Sequence, residues 1–200
     1  MDLDVKKNIL KSVVLKDPLP IKAKPEDILS VYKNKIKELV IDANGQVIEG
    51  RTPADIKPKE KAYPFYVYSE GDTVVSYAFP IVGQGLWSTL YGYLALESDA
   101  IRVRGITFYK HGETPGLGAE IEKEWFQNNF KGKKVWSAAK NALRPIKVVK
   151  GKATDHYKGE DLDYYVDGIT AATITGSGVT EMLDRNLQYY DPYFSKVRKK

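Results

Sequence analysis

Three short segments carry residue types and spacings that could do chemistry. Gly83-Gln84-Gly85-Leu86-Trp87-Ser88 places two glycines before a tryptophan, which permits close backbone approach by the chain itself or by a ligand. On its own it reads better as a glycine-rich hairpin loop around a core tryptophan. His111-Gly112-Glu113-Thr114-Pro115-Gly116-Leu117-Gly118 lies between a strand pattern and a helix pattern. Its glycines and proline fix an irregular loop that enters a helix, whose free amides can hold an anion or a carbonyl edge. No Gly-Lys-Ser/Thr follows, so it is not a phosphate-binding P-loop, and the glycine spacing is wrong for a dinucleotide fold. A tight strand-to-helix turn is the plain alternative, although the segment is longer than that turn needs. The third segment is Asp167-Gly168-Ile169-Thr170-Ala171-Ala172-Thr173-Ile174-Thr175-Gly176-Ser177-Gly178. One hydroxyl can cap the following helix and the others stay available. Small residues at Ala171 and Ala172 admit a bulky group, and the helix dipole suits a phosphate there. A threonine-rich cap with no ligand fits the same pattern.

Composition narrows the chemistry. Among 200 residues there is no cysteine, which excludes disulfides, thiolate metal sites, iron–sulfur clusters and cysteine nucleophiles. The two histidines, His111 and His156, have no second ligand type at zinc spacing, so no metal site is expected. The net charge of +5 comes from 31 basic residues scattered among 26 acidic ones. The one dense basic run, Lys196–Lys200, reads as a solvated tail, and no nucleic-acid partner is expected. Nothing approaches the ~18 consecutive apolar residues of a membrane span, and Met1–Asn8 lacks the apolar stretch of a signal peptide.

The elements that must position these segments follow from hydrophobic period. Ile9, Leu10, Val13 and Val14 predict a first helix behind Asp4, ending before Asp17-Pro18. Pro25 opens a second, whose stripe of Ile28, Val31, Tyr32, Ile36, Leu39 and Val40 predicts a helix running to Gly45. From about residue 62 the period becomes two. Tyr63–Tyr68, Val74–Val82, Ser88–Leu96 and Ile101–Tyr109 read as strands joined by short hairpin connections. A helix at Ala119–Phe130, strands near Val135 and at Pro145–Lys150, a polar loop at Gly151–Gly168 and a helix from Gly178 to Tyr190 complete the chain. The expected class is α+β, a central antiparallel sheet flanked by helices. Residues 1–60 are expected as a helical segment packed on a main domain of residues 61–200, together one compact unit.

Taken together, the three segments resemble the C-subunit family of Na⁺-translocating NADH:quinone oxidoreductases, within the FMN-binding domain family. The resemblance rests on Leu3–Leu10, Gly85-Leu86-Trp87-Ser88, Gly105-Ile106-Thr107-Phe108-Tyr109, Gly112–Gly118 and Ile146–Gly151. The Gly-Glu-Thr-Pro-Gly-Leu-Gly block is the most specific of these, because it separates this family from looser relatives.

The resemblance implies an electron-carrying flavoprotein subunit of a membrane-bound respiratory sodium pump that takes electrons from NADH to quinone. It implies FMN esterified through its phosphate to a threonine in a motif Asp-x-x-Ser/Thr-Gly-Ala-Thr. Carried over, Asp167 is the leading acid, Thr170 the first hydroxyl, Ala172 the small residue and Thr173 the acceptor, with Thr175 the fallback. Ala171 departs from the usual glycine. A threonine hydroxyl is too weak a nucleophile to attack a pyrophosphate unaided. The family's answer is a separate Mg²⁺-dependent flavin transferase that moves FMN from FAD onto the threonine. The ring is expected against Trp87, Leu117 and the backbone of Gly116–Gly118, beside Ser88, Glu113, Thr114 and Pro115. Amides near Thr114 and Gly118 are expected on its polar edge, and Thr170 and Thr175 at the phosphate. Lys150 or Lys147 is expected to stabilise reduced, anionic flavin. His111 and Glu113 are equally well explained as surface-turn residues. The other subunits of the reductase are the implied partners, at the periplasmic side of the inner membrane, with Met1 standing where an anchor would precede. The corresponding subunit of the related ferredoxin:NAD oxidoreductase, and a non-redox module binding an anion or a partner, are the competing readings.

Overall fold

The computed structural model describes residues 3–13 and 24–199. Five strands, β1 (Ile36–Asp42), β2 (Ala62–Glu70), β3 (Thr73–Gln84), β4 (Thr89–Glu97) and β5 (Val103–Lys110), form an antiparallel sheet in sequence order. Successive side chains on a strand face opposite ways. On β2, Phe65 and Val67 enter one core while Tyr66 and Tyr68 enter another. Both faces of the sheet are therefore covered, which gives the fold its α+β architecture.

The helix α1 (Leu3–Val13) and the helix α2 (Pro25–Lys35) cover one face through Ile9, Leu10, Val13, Ile28 and Tyr32. A Cβ on Gly105 would stand 2.5 Å from the Ser12 carbonyl oxygen, so α1 meets β5 backbone to backbone. The short helix α3 (Glu124–Asn128) and the long helix α4 (Thr173–Val197) cover the other face. There Phe79 packs on Tyr190, ring centroids 4.3 Å apart, and on Phe194 at 5.6 Å. Buried Asn186 sets the position of α4 along β3: its Nδ2 donates to the Val82 carbonyl (2.9 Å) and its Oδ1 accepts from the Val82 amide (3.3 Å). The rest of the chain adds the short strands β6 (Trp136–Ser137), β7 (Ala142–Leu143), β8 (Lys147–Val148) and β9 (Tyr165–Val166). Of these, β8 and β9 pair in parallel.

Four expectations change. The second helix stops at Lys35 rather than Gly45, and Ile36–Asp42 becomes an edge strand of the main sheet. Ile36 and Val40 fit the helical and the strand period equally, and pairing with Tyr68 and Pro64 on β2 decides between them. Residues 1–60 are thus not wholly helical. The helix expected over Ala119–Phe130 breaks at extended Lys123 into a 3₁₀ turn (Gly118–Glu122) and α3. Ile121 and Phe126, five residues apart, would diverge on one α-helix, and the break buries both. The polar stretch Gly151–Gly168 holds β9 and 3₁₀ turns at Ala153–Asp155 and Gly159–Tyr164. Finally, α4 begins at Thr173, five residues early, so most of the threonine-rich segment is helix. Val14 and Lys200 lie outside the described residues.

Truncating Phe79, which is fully buried between the sheet and α4, should cost about 3–5 kcal/mol. Urea unfolding of Phe79→Ala should show a lower midpoint at an unchanged slope. A loss below about 1 kcal/mol would mean that α4 does not depend on this contact.

Candidate functional site

The two glycine-rich loops and the threonine-rich segment meet at one end of the sheet, and a single carboxylate joins them. The β3–β4 loop supplies Leu86 to Ser88, the loop after β5 supplies Glu113, and the first turn of α4 supplies Thr175. Glu113 Oε1 accepts from the Trp87 amide (2.9 Å), the Ser88 amide (3.1 Å) and the Ser88 hydroxyl (3.3 Å). Its Oε2 accepts from the Leu86 amide (3.1 Å) and from the Thr175 hydroxyl (2.6 Å). Glu113 and Thr175 are both buried, so Glu113 is no surface-turn residue. Burial pushes the Glu113 carboxyl up, but the Thr175 hydroxyl and the amides of Trp87, Leu86 and Ser88 outweigh it and hold the group below its ordinary value.

Such a junction requires glycines where backbones approach. A Cβ on Gly118 would lie 2.6 Å from Thr175 Oγ1 and 2.8 Å from Glu113 Oε2. One on Gly178 would lie 2.1 Å from the Gln84 carbonyl oxygen, so α4 rests directly on the end of β3. His111 braces the same loop: its Nδ1 accepts from the Glu113 amide (3.2 Å), and its Nε2 stands 3.3 Å from Glu122 Oε2. Ser88 Oγ accepts from the Gly112 amide at 2.6 Å. The Thr114 carbonyl accepts from the Leu117 and Ala119 amides, both at 3.1 Å, which commits two of the amides expected to be free there.

Outside the junction the same segments are open. Trp87 is 70% exposed, which overturns its reading as a core tryptophan. Leu86, Leu117 and Ile174 are exposed too, so each of the three segments contributes an apolar side chain at the surface. Thr114, Pro115 and Gly116 are also exposed. Sequence reasoning missed Ile174 because it reads as a helix-stripe residue next to a cap. Thr173 and Thr170 are exposed, whereas Thr175 is engaged with Glu113. Ala172 is the N-cap of α4, and no side chain caps this helix, contrary to the expected hydroxyl cap. Ala171, which departs from the glycine in the motif that the resemblance implies, sits at φ +59°, in the left-handed region that a methyl group disfavours. Asp167 Oδ1 accepts from the Ala153 amide (2.8 Å), and the Gly168 amide donates to the Gly151 carbonyl (2.8 Å). Lys150 is thereby held beside the threonine-rich segment, with its side chain exposed, as is that of Lys147.

Exposed apolar side chains on all three converging segments, with an accessible hydroxyl at an uncapped helix start, suit a planar aromatic ring that carries a phosphate. FMN has that shape and charge. The family described as FMN-binding domain matches residues 85–188, slightly more than half of the chain and a span that reaches into all three segments. Fold and site together define an FMN-binding domain.

The C subunit of the Na(+)-translocating NADH-quinone reductase of Vibrio campbellii is 40% identical over 135 residues, covering 66% of this chain and 49% of that protein. Its counterpart in Chlamydia muridarum is 43% identical over 132 residues, covering 60% and 40%. The crystal structure of the counterpart from Parabacteroides distasonis superposes with a TM-score of 0.80 at 33% identity, covering 96% of this chain and 92% of that one. Shewanella oneidensis NqrC, at 22% identity and a TM-score of 0.82, shares the fold. The chain belongs to the family of Na⁺-translocating NADH-quinone reductase C subunits. It spans about half the length of the curated relatives it matches. Among the described residues no helix is long and apolar enough to cross a membrane.

Two outcomes test this geometry. Replacing Ala171 by glycine should relieve its backbone and raise stability by about 1 kcal/mol in chemical denaturation. A destabilised variant would contradict the left-handed conformation. Glu113→Gln sets an amide N–H against backbone donors and should cost about 1–3 kcal/mol at neutral pH. Because the Glu113 carboxyl titrates below its ordinary value, its contribution is complete above that value and is lost as pH falls through the depressed one. The stability gap between wild type and Glu113→Gln should therefore narrow on acidification, and a gap independent of pH would overturn the assignment.

Proposed function

We propose that this chain is an electron-carrying flavoprotein subunit of a Na⁺-translocating NADH:quinone reductase, with FMN held by a phosphoester on Thr173. The observation that carries the reading is the exposed Thr173 at the uncapped start of α4, in the helix turn that Thr175 and Glu113 tie to the loop carrying exposed Trp87. Bound FMN supplies the reversible uptake and release of electrons.

The chain's own residues bind and orient. Trp87 and Leu117 cover the ring and exclude water from it. The amides at the start of α4 and its dipole offset the phosphate charge, with Thr170 as a nearby hydroxyl donor. Thr175 is a positioning residue: its bond to Glu113 fixes the first turn of α4, and with it the direction of Thr173. Lys150 supplies a positive charge near the ring when extra negative charge arrives. Asp167 holds the turn at Ala153 and so shapes the approach to the threonines. No base adjoins Thr173 in the hydrogen bonds of the described residues, which supports attachment by a separate Mg²⁺-dependent flavin transferase using FAD. The remaining reductase subunits in the inner membrane are the electron-transfer partners, and the resemblance favours a position on its periplasmic side.

Co-expression with a flavin transferase, followed by denaturing electrophoresis under ultraviolet light, should give a fluorescent band from the wild-type chain. Thr173→Ala should abolish the band, and Thr175→Ala should keep it at reduced yield. A dark wild-type band would refute the flavoprotein reading. A band lost only with Thr175→Ala would move the attachment point.

A further inference from the structure

One imidazole touches both ends of the segment that carries Leu117. His111 directly follows β5, and its side chain is only 10% exposed. At the entrance of the segment its Nδ1 accepts from the Glu113 amide at 3.2 Å, and among the described residues no backbone acceptor takes that amide. At the exit its Nε2 stands 3.3 Å from Glu122 Oε2, at the end of the 3₁₀ turn. Between these anchors the chain closes on the Thr114 carbonyl and leaves Thr114, Pro115, Gly116 and Leu117 exposed. The exit is fixed in turn to α3, where Gln127 Nε2 donates to the Glu122 carbonyl at 3.1 Å. The entrance therefore depends on the ring more than the exit does.

These two contacts select one form of the ring. A nitrogen that accepts a hydrogen bond carries no proton, so Nδ1 is bare and the proton sits on Nε2, facing the Glu122 carboxylate. A second proton would go to Nδ1. It would keep the Nε2 contact and set one N–H against another at Glu113, so only the entrance anchor would be lost. The charged groups around the ring are Lys110 at the end of β5, Glu122 and Lys123 at the exit, and Glu124 opening α3. Lys110 Nζ lies 5.3 Å over the Tyr91 ring of β4, and Lys123 Nζ is 3.5 Å from Glu122 Oε1. The Glu113 carboxylate is taken up by Trp87, Ser88, Leu86 and Thr175 and titrates below its ordinary value, so it stays ionised where a histidine changes charge.

We propose that His111 is a positioning residue for the flavin site: its neutral ring latches the Glu113–Leu117 segment, and proton uptake at Nδ1 releases the latch at Glu113. The released segment carries Leu117, so the cover over the ring loosens while the Glu113 carboxylate keeps the three segments together. What the latch acts on rests on the FMN reading above. The latch itself is a property of the chain without flavin, so the two can fail separately.

The test is nuclear magnetic resonance on the nitrogen-15-labelled full chain, made without flavin, across the titration of His111 followed in the same sample. At neutral pH the ring nitrogens should report the Nε2–H tautomer. Protection of the Glu113 amide from hydrogen exchange, corrected for the intrinsic rate, should fall about tenfold with the same midpoint as His111. His111→Asn places an acceptor where Nδ1 was and cannot titrate, so it should keep the protection and lose the pH dependence. His111→Gln, which reaches only the Nε2 position, should lose the protection at every pH. His156→Asn, at the other and exposed histidine, should behave as wild type. In the chain carrying FMN, iodide quenching of flavin fluorescence should rise as His111 is protonated and stay flat in His111→Asn. An Nδ1–H tautomer, Glu113 protection that ignores the His111 titration, or a pH profile unchanged in His111→Asn would overturn the latch. Quenching that ignores the titration while Glu113 follows it would overturn the link to the flavin site. A chain that takes no flavin refutes the FMN reading, and the exchange data then decide the latch alone.

Discussion

The buried carboxylate of Glu113 is the constraint on which the site depends. Three chain segments far apart in sequence converge at this end of the sheet, and their backbone amides need acceptors. One side chain supplies them, taking five hydrogen bonds from the β3–β4 loop and from α4. An ionised carboxylate is costly to bury, and here donors rather than a cation offset that cost. The consequence of the arrangement appears in the glycines. Gly85, Gly118 and Gly178 stand where any side chain would strike Glu113, Thr175 or the backbone of Gln84.

The sheet divides the molecule's work between its faces. On one face α4 packs through Val179, Met182, Leu183 and Leu187, and Asn186 locks it to Val82. That contact fixes where the helix begins, and so brings Thr173 to the loops without touching them itself. The other face is closed by α1 and α2 and lined with phenols.

Ala171 marks a local conflict. The turn before α4 needs a left-handed residue, and this chain places an alanine there. The rest of the turn holds it in place, through the Ala172 amide donating to the Ile169 carbonyl and the Gly168 amide to the Gly151 carbonyl. Strain at a turn beside an exposed hydroxyl is consistent with a segment shaped for a ligand rather than for stability.

Much of this was legible in residue order. Aromatic and β-branched runs from residue 62 located four of the five main strands, because strands buried on both faces read as nearly continuous apolar runs between short turns. The glycine-rich and threonine-rich segments declared themselves because they exceed what turns and caps need. Ile36–Asp42 and the start of α4 were not legible, since Ile36 and Val40 satisfy two periods and Thr173–Ser177 suits either cap or helix. Sequence by itself determined the class of fold, the absence of cysteine chemistry and the three segments that matter. Tertiary structure alone decided that they meet, that Glu113 lies beneath them rather than on the surface, and that Thr175 is engaged there while Thr173 is exposed. The physical reason is that a buried charge selects its donors by distance in space, and residue order does not record that distance.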